Sequence, residues 1–264
     1  MSGAAQAGGG PDPVGDEPPS ILLTRTDQGA VATVTLRRPH RRNALSTDLL
    51  TQLRDTLSSL TREPGRAPAV MILTGAAPSF CSGADTRESC WTDPAARSVR
   101  RDRFRDVVDQ LHTCSFATLA AVEGHALGGG LELALACDLV VAGESAVFGL
   151  PELAVGAVPG GGAVHSLVGR AGRGFAAHLL LTGARASAAE MLAAHAIERV
   201  VADGAALSEA ARLAAGMLRC RATLPVAVRL LRDSGHLART DALAMEEGYF
   251  WRAALRSASA ASEG

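Results

Sequence analysis

Two short runs near the start of the chain alternate apolar and polar positions, ILLTRT from Ile21 and VATVTL up to Leu36, with Asp27-Gln28-Gly29 between them. A period of two broken by such a turn signal predicts a β-hairpin. Past a basic stretch, Arg37 to Arg42, the period changes: Leu49, Leu50, Leu53, Leu57 and Leu60 recur at helical spacing behind Ser46, a suitable N-cap. One stripe of leucines predicts a helix lying against a sheet. Ala69 to Leu73 is a short apolar run, read as a strand, that leads through Gly75 into the irregular loop Phe80-Cys81-Ser82-Gly83-Ala84-Asp85. A charged helix is predicted from about Ala95 to Leu111. Thr118 to Val122 reads as another buried strand, running into Gly124-His125-Ala126-Leu127-Gly128-Gly129-Gly130 and then the helical run LELALA. Asp138 to Ala142 is one more strand.

Strands alternating with helices predict an α/β architecture whose sheet is covered on its faces. Beyond Gly172 strand patterns nearly vanish, and Ala205 to Leu255 is helical and Ala-rich. The chain therefore divides into a disordered tail over residues 1–19, an α/β core over 20–204 and a helical C-terminal region over 205–264. With 47% hydrophobic residues but only 2 Trp, 1 Tyr and 6 Phe, the core must be built from Ala, Leu and Val, so helices pack closely.

Composition narrows the chemistry. A formal net charge of -1 gives no field for gathering nucleic acid or anionic membrane. All 26 basic residues are Arg, which removes lysine Schiff-base chemistry. Cys81, Cys90, Cys114, Cys137 and Cys220 show neither metal-ligand spacing nor a paired framework, so no metal site is expected and a reducing cytoplasm is the expected compartment. The Gly-, Pro- and Ala-rich first residues lack an apolar core and any Arg, unlike a secretory or transit leader. The apolar run Leu131 to Val141 is short and carries Glu132 and Asp138, so no membrane span is expected.

Taken singly, the candidate chemistry has ordinary readings. Gly128 to Gly130 at the mouth of a helix let a ligand approach unpaired N–H groups, or merely allow a tight strand-to-helix turn. Without a Lys-Ser/Thr pair they are no phosphate loop of the Walker kind. Residues 80–85 fit a second amide aimed into a cavity, or a surface turn in which Asp85 caps the next element. Glu132, on the first turn of an apolar helix, and Glu152, after Pro151, each suit a helix start.

Together, Gly83-Ala84-Asp85, then Ala126-Leu127-Gly128-Gly129-Gly130-Leu131-Glu132, then Phe148-Gly149-Leu150-Pro151-Glu152 and Val158-Pro159-Gly160-Gly161-Gly162 closely resemble the enoyl-CoA hydratase/isomerase (crotonase) family, over about Ile21 to Gly248. The resemblance implies a spiral of repeated ββα units with a helical C-terminal region. It implies that Ala84 and Gly129 match two peptide N–H donors that hold a thioester oxygen as it becomes an enolate. Glu132 and Glu152 match the paired acid/base carboxylates, with Glu132 chiefly activating water and Glu152 chiefly delivering the α-proton. Ser82, Gly83, Asp85, Leu127, Gly128, Pro151, Pro159 and Gly160 fall in the same motifs and are expected to line the substrate site. Arg38, Arg41 and Arg42 lie in a stretch similar to the family's basic loop near the coenzyme A phosphates, and arginine pairs with phosphate in a forked geometry.

Members lacking either glutamate carry out isomerisation, dehalogenation or hydrolysis, so the resemblance favours an enoyl-CoA hydratase, with no cofactor beyond the coenzyme A of the substrate. An enoyl-CoA isomerase or another acyl-CoA lyase remains the alternative within the fold, and a catalytically silent RNA- or partner-binding homologue the alternative outside enzymology. Homotrimers or homohexamers are expected. Three departures stand out: His125 occupies a position usually held by a larger or aromatic residue, Gly162 to Leu167 lacks the family's wording, and the sequence given stops at Gly264, where a coenzyme-covering helix is usual.

Overall fold

The structure is a computed structural model that describes residues 19–62, 66–235 and 237–262. The expected tail over residues 1–19 falls outside the described residues except for Pro19. The chain opens with β1 (Ile21–Thr26), β2 (Val31–Leu36), α1 (Thr47–Arg62), β3 (Val70–Gly75) and α2 (Pro94–Thr113). There follow β4 (Ala117–Val122), β5 (His125–Leu127), α3 (Gly129–Ala136), β6 (Leu139–Gly143), β7 (Val147–Gly149) and α4 (Ala163–Thr182). Finally come β8 (Arg185–Ser187), α5 (Ala188–Ala193), β9 (Arg199–Val201), α6 (Ala206–Met217), α7 (Leu224–Ser234) and α8 (Arg239–Ser262).

The hairpin forms as its alternation dictates, Ile21 facing Leu36 and Thr26 facing Val31. The remaining strands of the main sheet join in parallel, giving the order β1-β2-β3-β4-β6-β9. Parallel strands need both faces covered, and that is why β3 and β4 read as unbroken apolar runs. Met71, Leu73, Ala120, Val122, Val140 and Ala142 turn to one face, where they meet the leucine stripe of α1 and Leu131, Leu133 and Leu135 of α3. Val70, Ile72, Leu119, Ala121 and Val141 turn to the other, where α6 presents Ala206, Ala210 and Ala214, one small residue per turn. Each of the five buried α1 leucines contributes about 1.5–3 kcal/mol. Ser46 caps that helix as expected, its Oγ accepting from Leu49 N–H at 3.1 Å.

The hydrophobic pattern predicts no strand within residues 124–130 or 147–149. Both include three-residue strands, and with β8 they form a second sheet in the order β5-β7-β8. Three residues are too few to display a period. In this small sheet, strands β5 and β7 end at Leu127 and Gly149, just before the motifs Gly128–Glu132 and Leu150–Glu152.

The helical region is tied to the core by a half-buried ion pair. Arg232, near the end of α7, donates to both carboxylate oxygens of Asp138 at 2.8 and 2.7 Å and to the carbonyls of Cys114 and Phe116 at 2.7 and 3.3 Å. Asp138 in turn accepts from Thr118 N–H and Oγ at 2.7 and 2.9 Å. Removing one partner leaves the other with its hydrogen bonds only partly replaced by water. Arg232→Leu should therefore cost about 1–3 kcal/mol in denaturant unfolding. Adding Asp138→Asn should recover part of that loss, an outcome opposite to simple addition.

Candidate active site

Three chain segments meet backbone to backbone at the C-terminal ends of the strands. Residues 81–85 are paired on both sides: Cys81 N–H donates to His125 O at 2.8 Å and Leu127 N–H to Cys81 O at 3.0 Å, while Leu45 N–H donates to Gly83 O at 2.8 Å and Asp85 N–H to Leu45 O at 3.1 Å. The pairing with Leu45 brackets Ala84 and uses neither of its own backbone groups, so the Ala84 N–H points to the opposite side. Gly83 takes φ +93°, and a β-carbon there would lie 2.7 Å from Leu127 O. That position is also 3.6 Å from Gly129 N, which puts the two turns side by side. Gly128 N–H is used by Gly149 O at 2.9 Å, whereas Gly129 is the first residue of α3 and its N–H has no carbonyl one turn back. The structure thus sets residues 83–84 next to the turn at Gly128 and Gly129.

Both glutamates stand beside these turns but in different settings. Glu132 is 3% exposed, and its Oε1 accepts from Gly161 N–H at 2.5 Å and Ala163 N–H at 3.5 Å, at the N-terminus of α4. Burial pushes its pKa up, and the amides of Gly161, Ala163 and Gly160 pull it partly back, as the positive end of a helix does for an anion. The Pro159-Gly160-Gly161-Gly162 stretch therefore serves as an anchor for Glu132. Glu152 opens a short 3-10 turn, Glu152–Val155, behind Pro151, rather than the second position of an α-helix as the Pro-Glu pairing suggested. A β-carbon on Gly128, at φ +53°, would lie 3.1 Å from Glu152 Oε1 and 4.0 Å from the Gly83 Cα, so this carboxyl rests on the glycine turn. Its Oε2 is buried with no hydrogen-bond partner among the described residues. Burial raises its pKa, and the charge of Glu132 raises it further. One carboxylate is anchored by amides and the other keeps an unsatisfied oxygen.

The basic residues separate. Arg38 is turned inward, donating to Asp85 Oδ2 at 3.0 Å and Ala44 O at 2.7 Å, so these two expected substrate residues are occupied with each other and brace the loop. Arg41 and Arg42 are exposed, and no acidic group pairs with either among the described residues. Ser82 fastens their loop to the site through Ser82 N–H to Arg42 O at 3.0 Å and Ser82 Oγ to Arg41 O at 3.3 Å. Partial burial first, then Arg42 and Arg185, depress the His125 pKa, which places a further cation, Arg185 of β8, on this flank. Sequence reasoning missed Arg185 and also Phe104, whose ring lies 3.4 Å from where a Gly129 β-carbon would be and so packs beneath the amide turn. Phe104 was legible only as an aromatic residue on an otherwise charged helix. A separate apolar groove of about 500 Å³ between α7 and α8 contains none of these residues. Among the described residues no group of His, Cys, Asp and Glu could hold a metal, and no helix is long and apolar enough to cross a membrane.

Comparison with known proteins agrees with this architecture. An enoyl-CoA hydratase from Bacillus anthracis superposes with a TM-score of 0.83 at 30% identity, covering 88% of this chain and 89% of that one, so the fold is the crotonase fold. The family described as enoyl-CoA hydratase/isomerase matches residues 26–253. The 2,3-dehydroadipyl-CoA hydratase of Escherichia coli (strain K12) is 37% identical over 231 residues, 87% of this chain and 88% of that protein. The human mitochondrial enoyl-CoA hydratase domain-containing protein 2 is 38% identical over 212 residues, 79% of this chain and 71% of that protein. The chain belongs to the enoyl-CoA hydratase/isomerase family, whose members act on acyl-CoA thioesters.

The setting of Glu152 has a consequence for stability. Its folded pKa lies above the ordinary 4.5, so its contribution is fully present below the unfolded pKa and is lost as pH rises through the folded value. Glu152→Gln cannot ionise and should melt higher than the wild type at pH 8, by about 2–4 °C. Melting curves across pH should show the gap closing toward pH 4.5, the ordinary value.

Proposed function

We propose that this protein is an enoyl-CoA hydratase that adds water reversibly across the 2,3 double bond of an acyl-CoA thioester. The observation that carries the reading is the Glu152 carboxyl, resting on Gly128 through Oε1 with its Oε2 unsatisfied, near enough to the buried and amide-anchored Glu132 to feel its charge. Glu132, favoured as the anion by the α4 amides, takes a proton from water as the water oxygen bonds to C3. The electron pair of the double bond moves toward the carbonyl, and the resulting enolate oxygen is met by Ala84 N–H and Gly129 N–H. Preorganised amides in a dry site are worth several kcal/mol at such a charge. Glu152, its carboxyl kept protonated more readily by burial and by its neighbour, gives its proton to C2. The cycle closes when the two carboxyls exchange that proton through the next water, and no cofactor is needed beyond the coenzyme of the substrate.

Arg41 and Arg42 supply the charge suited to the nucleotide phosphates, with Arg185 and His125 on the same flank. Since the E. coli relative is named for a dicarboxylic substrate, enoyl-CoA thioesters with and without a terminal carboxylate both belong in an assay. The reading includes a soluble cytoplasmic homotrimer or dimer of trimers, for which light scattering gives the mass.

Glu132→Gln and Glu152→Gln should each lower kcat for hydration of crotonyl-CoA by on the order of 10²-fold or more, with KM little changed. The double variant should be scarcely worse than the poorer single one, because two groups sharing one water fail together. Near-native hydration in either single variant would refute the assignment. Arg41→Ala and Arg42→Ala should raise KM for the coenzyme A thioester while sparing the pantetheine thioester, which lacks the nucleotide phosphates; equal effects on both substrates would place these arginines elsewhere.

A further inference from the structure

Arg100 lies on α2 among residues read from sequence as a solvated charged helix, yet it is only 7% exposed. Its guanidinium Nη2 donates to Leu45 O at 2.7 Å. Its Cζ lies 5.0 Å from the centroid of the Trp91 ring, and its Nε stands 3.5 Å from Glu88 Oε2 without a hydrogen-bond partner of its own. Each of these neighbours is hydrogen-bonded to Asp85, the residue after Ala84, with Glu88 N–H donating to Asp85 O at 3.4 Å. Leu45 O is the acceptor for Asp85 N–H at 3.1 Å, and Trp91 Nε1 donates to Asp85 O at 2.8 Å. Glu88 accepts from Thr47 N–H and Oγ1 at 2.8 and 3.1 Å and so fixes the start of α1 directly after Leu45. Burying a guanidinium costs free energy that a single carboxylate at this distance only partly offsets. A Leu or Met here would fill the same space at lower cost, so the charge has a use other than packing.

We infer that Arg100 is a positioning residue for the Ala84 amide. By holding Leu45 O and the Trp91 ring at once, it sets the direction in which the Ala84 N–H points. The consequence falls on the transition state more than on binding, since a misdirected donor loses most where charge on the oxygen is greatest. This inference rests on the reading of Ala84 as an oxyanion donor, and its test separates the two.

The readout is the carbonyl stretch of butanoyl-CoA carrying ¹³C at the thioester carbon, a saturated probe that cannot be hydrated, followed by difference infrared spectroscopy alongside crotonyl-CoA kinetics. In the wild type the stretch should move to lower wavenumber on binding. In Arg100→Met the move should shrink, with kcat down about 10- to 100-fold and KM within about 3-fold. Trp91→Phe keeps the ring but loses the donor to Asp85 O, and it should shift the stretch in the same direction by less; it decides the matter if Arg100→Met does not fold. A wild-type carbonyl shift in Arg100→Met, or in Trp91→Phe where that variant decides, overturns the positioning role even where the melting temperature falls, because a merely structural residue would lower stability alone. A wild type that shows neither a carbonyl shift nor hydration overturns the oxyanion reading itself, and the inference with it.

Discussion

The site depends on a contact between main chains: the turn at Gly83 and the turn at Gly128–Gly129 approach so closely that a β-carbon at Gly83 would collide with Leu127 O at 2.7 Å. Peptide N–H groups can converge on one atom only where side chains do not hold the backbones apart. Everything around the contact serves to keep it. The main sheet delivers both turns from neighbouring parallel strands, β5 and β7 of the small sheet end at Leu127 and Gly149, and pairing with His125, Leu127 and Leu45 leaves residues 81–85 little freedom. A small-residue composition suits this arrangement, as alanines at successive turns of α6 let helix and sheet approach without bulky aromatics.

Electrostatics divides labour between two residues of one type. Glu132 is buried and Glu152 half-buried, and both have raised pKa values, but only Glu132 receives backbone donors from the start of a helix. In the proposed mechanism, difference of environment, not of chemistry, lets one carboxylate serve as base while its twin carries a proton. The stability lost by leaving Glu152 Oε2 unsatisfied is the counterpart of that function.

Much of this was legible before any coordinates. The leucine stripe of α1, the Ser46 cap, the hairpin and the buried strands β3 and β4 follow from period and composition, and the resemblance to the enoyl-CoA hydratase/isomerase family brought Ala84, Gly129, Glu132 and Glu152 forward together. What was hidden depends on contacts far apart in sequence. Nothing near Glu132 reveals that its donors come from Gly161 and Ala163, and nothing near Arg38 shows that Asp85 consumes its charge. Arg100 looked like any exposed arginine of a charged helix, since tertiary packing against Trp91 and Leu45 alone buries it. The strands β5 and β7 were missed because three residues carry no period, although they lead into the motifs.

The proposed reaction adds water and a proton across one double bond beside Glu132 and Glu152. Its most direct test is the mass spectrum of the product formed from crotonyl-CoA in H₂¹⁸O, and separately in D₂O. The account predicts a 3-hydroxyacyl thioester that has gained one ¹⁸O at C3 in the first case and one deuterium at C2 in the second. A product that takes up deuterium but no ¹⁸O, with its double bond moved and not hydrated, would contradict it.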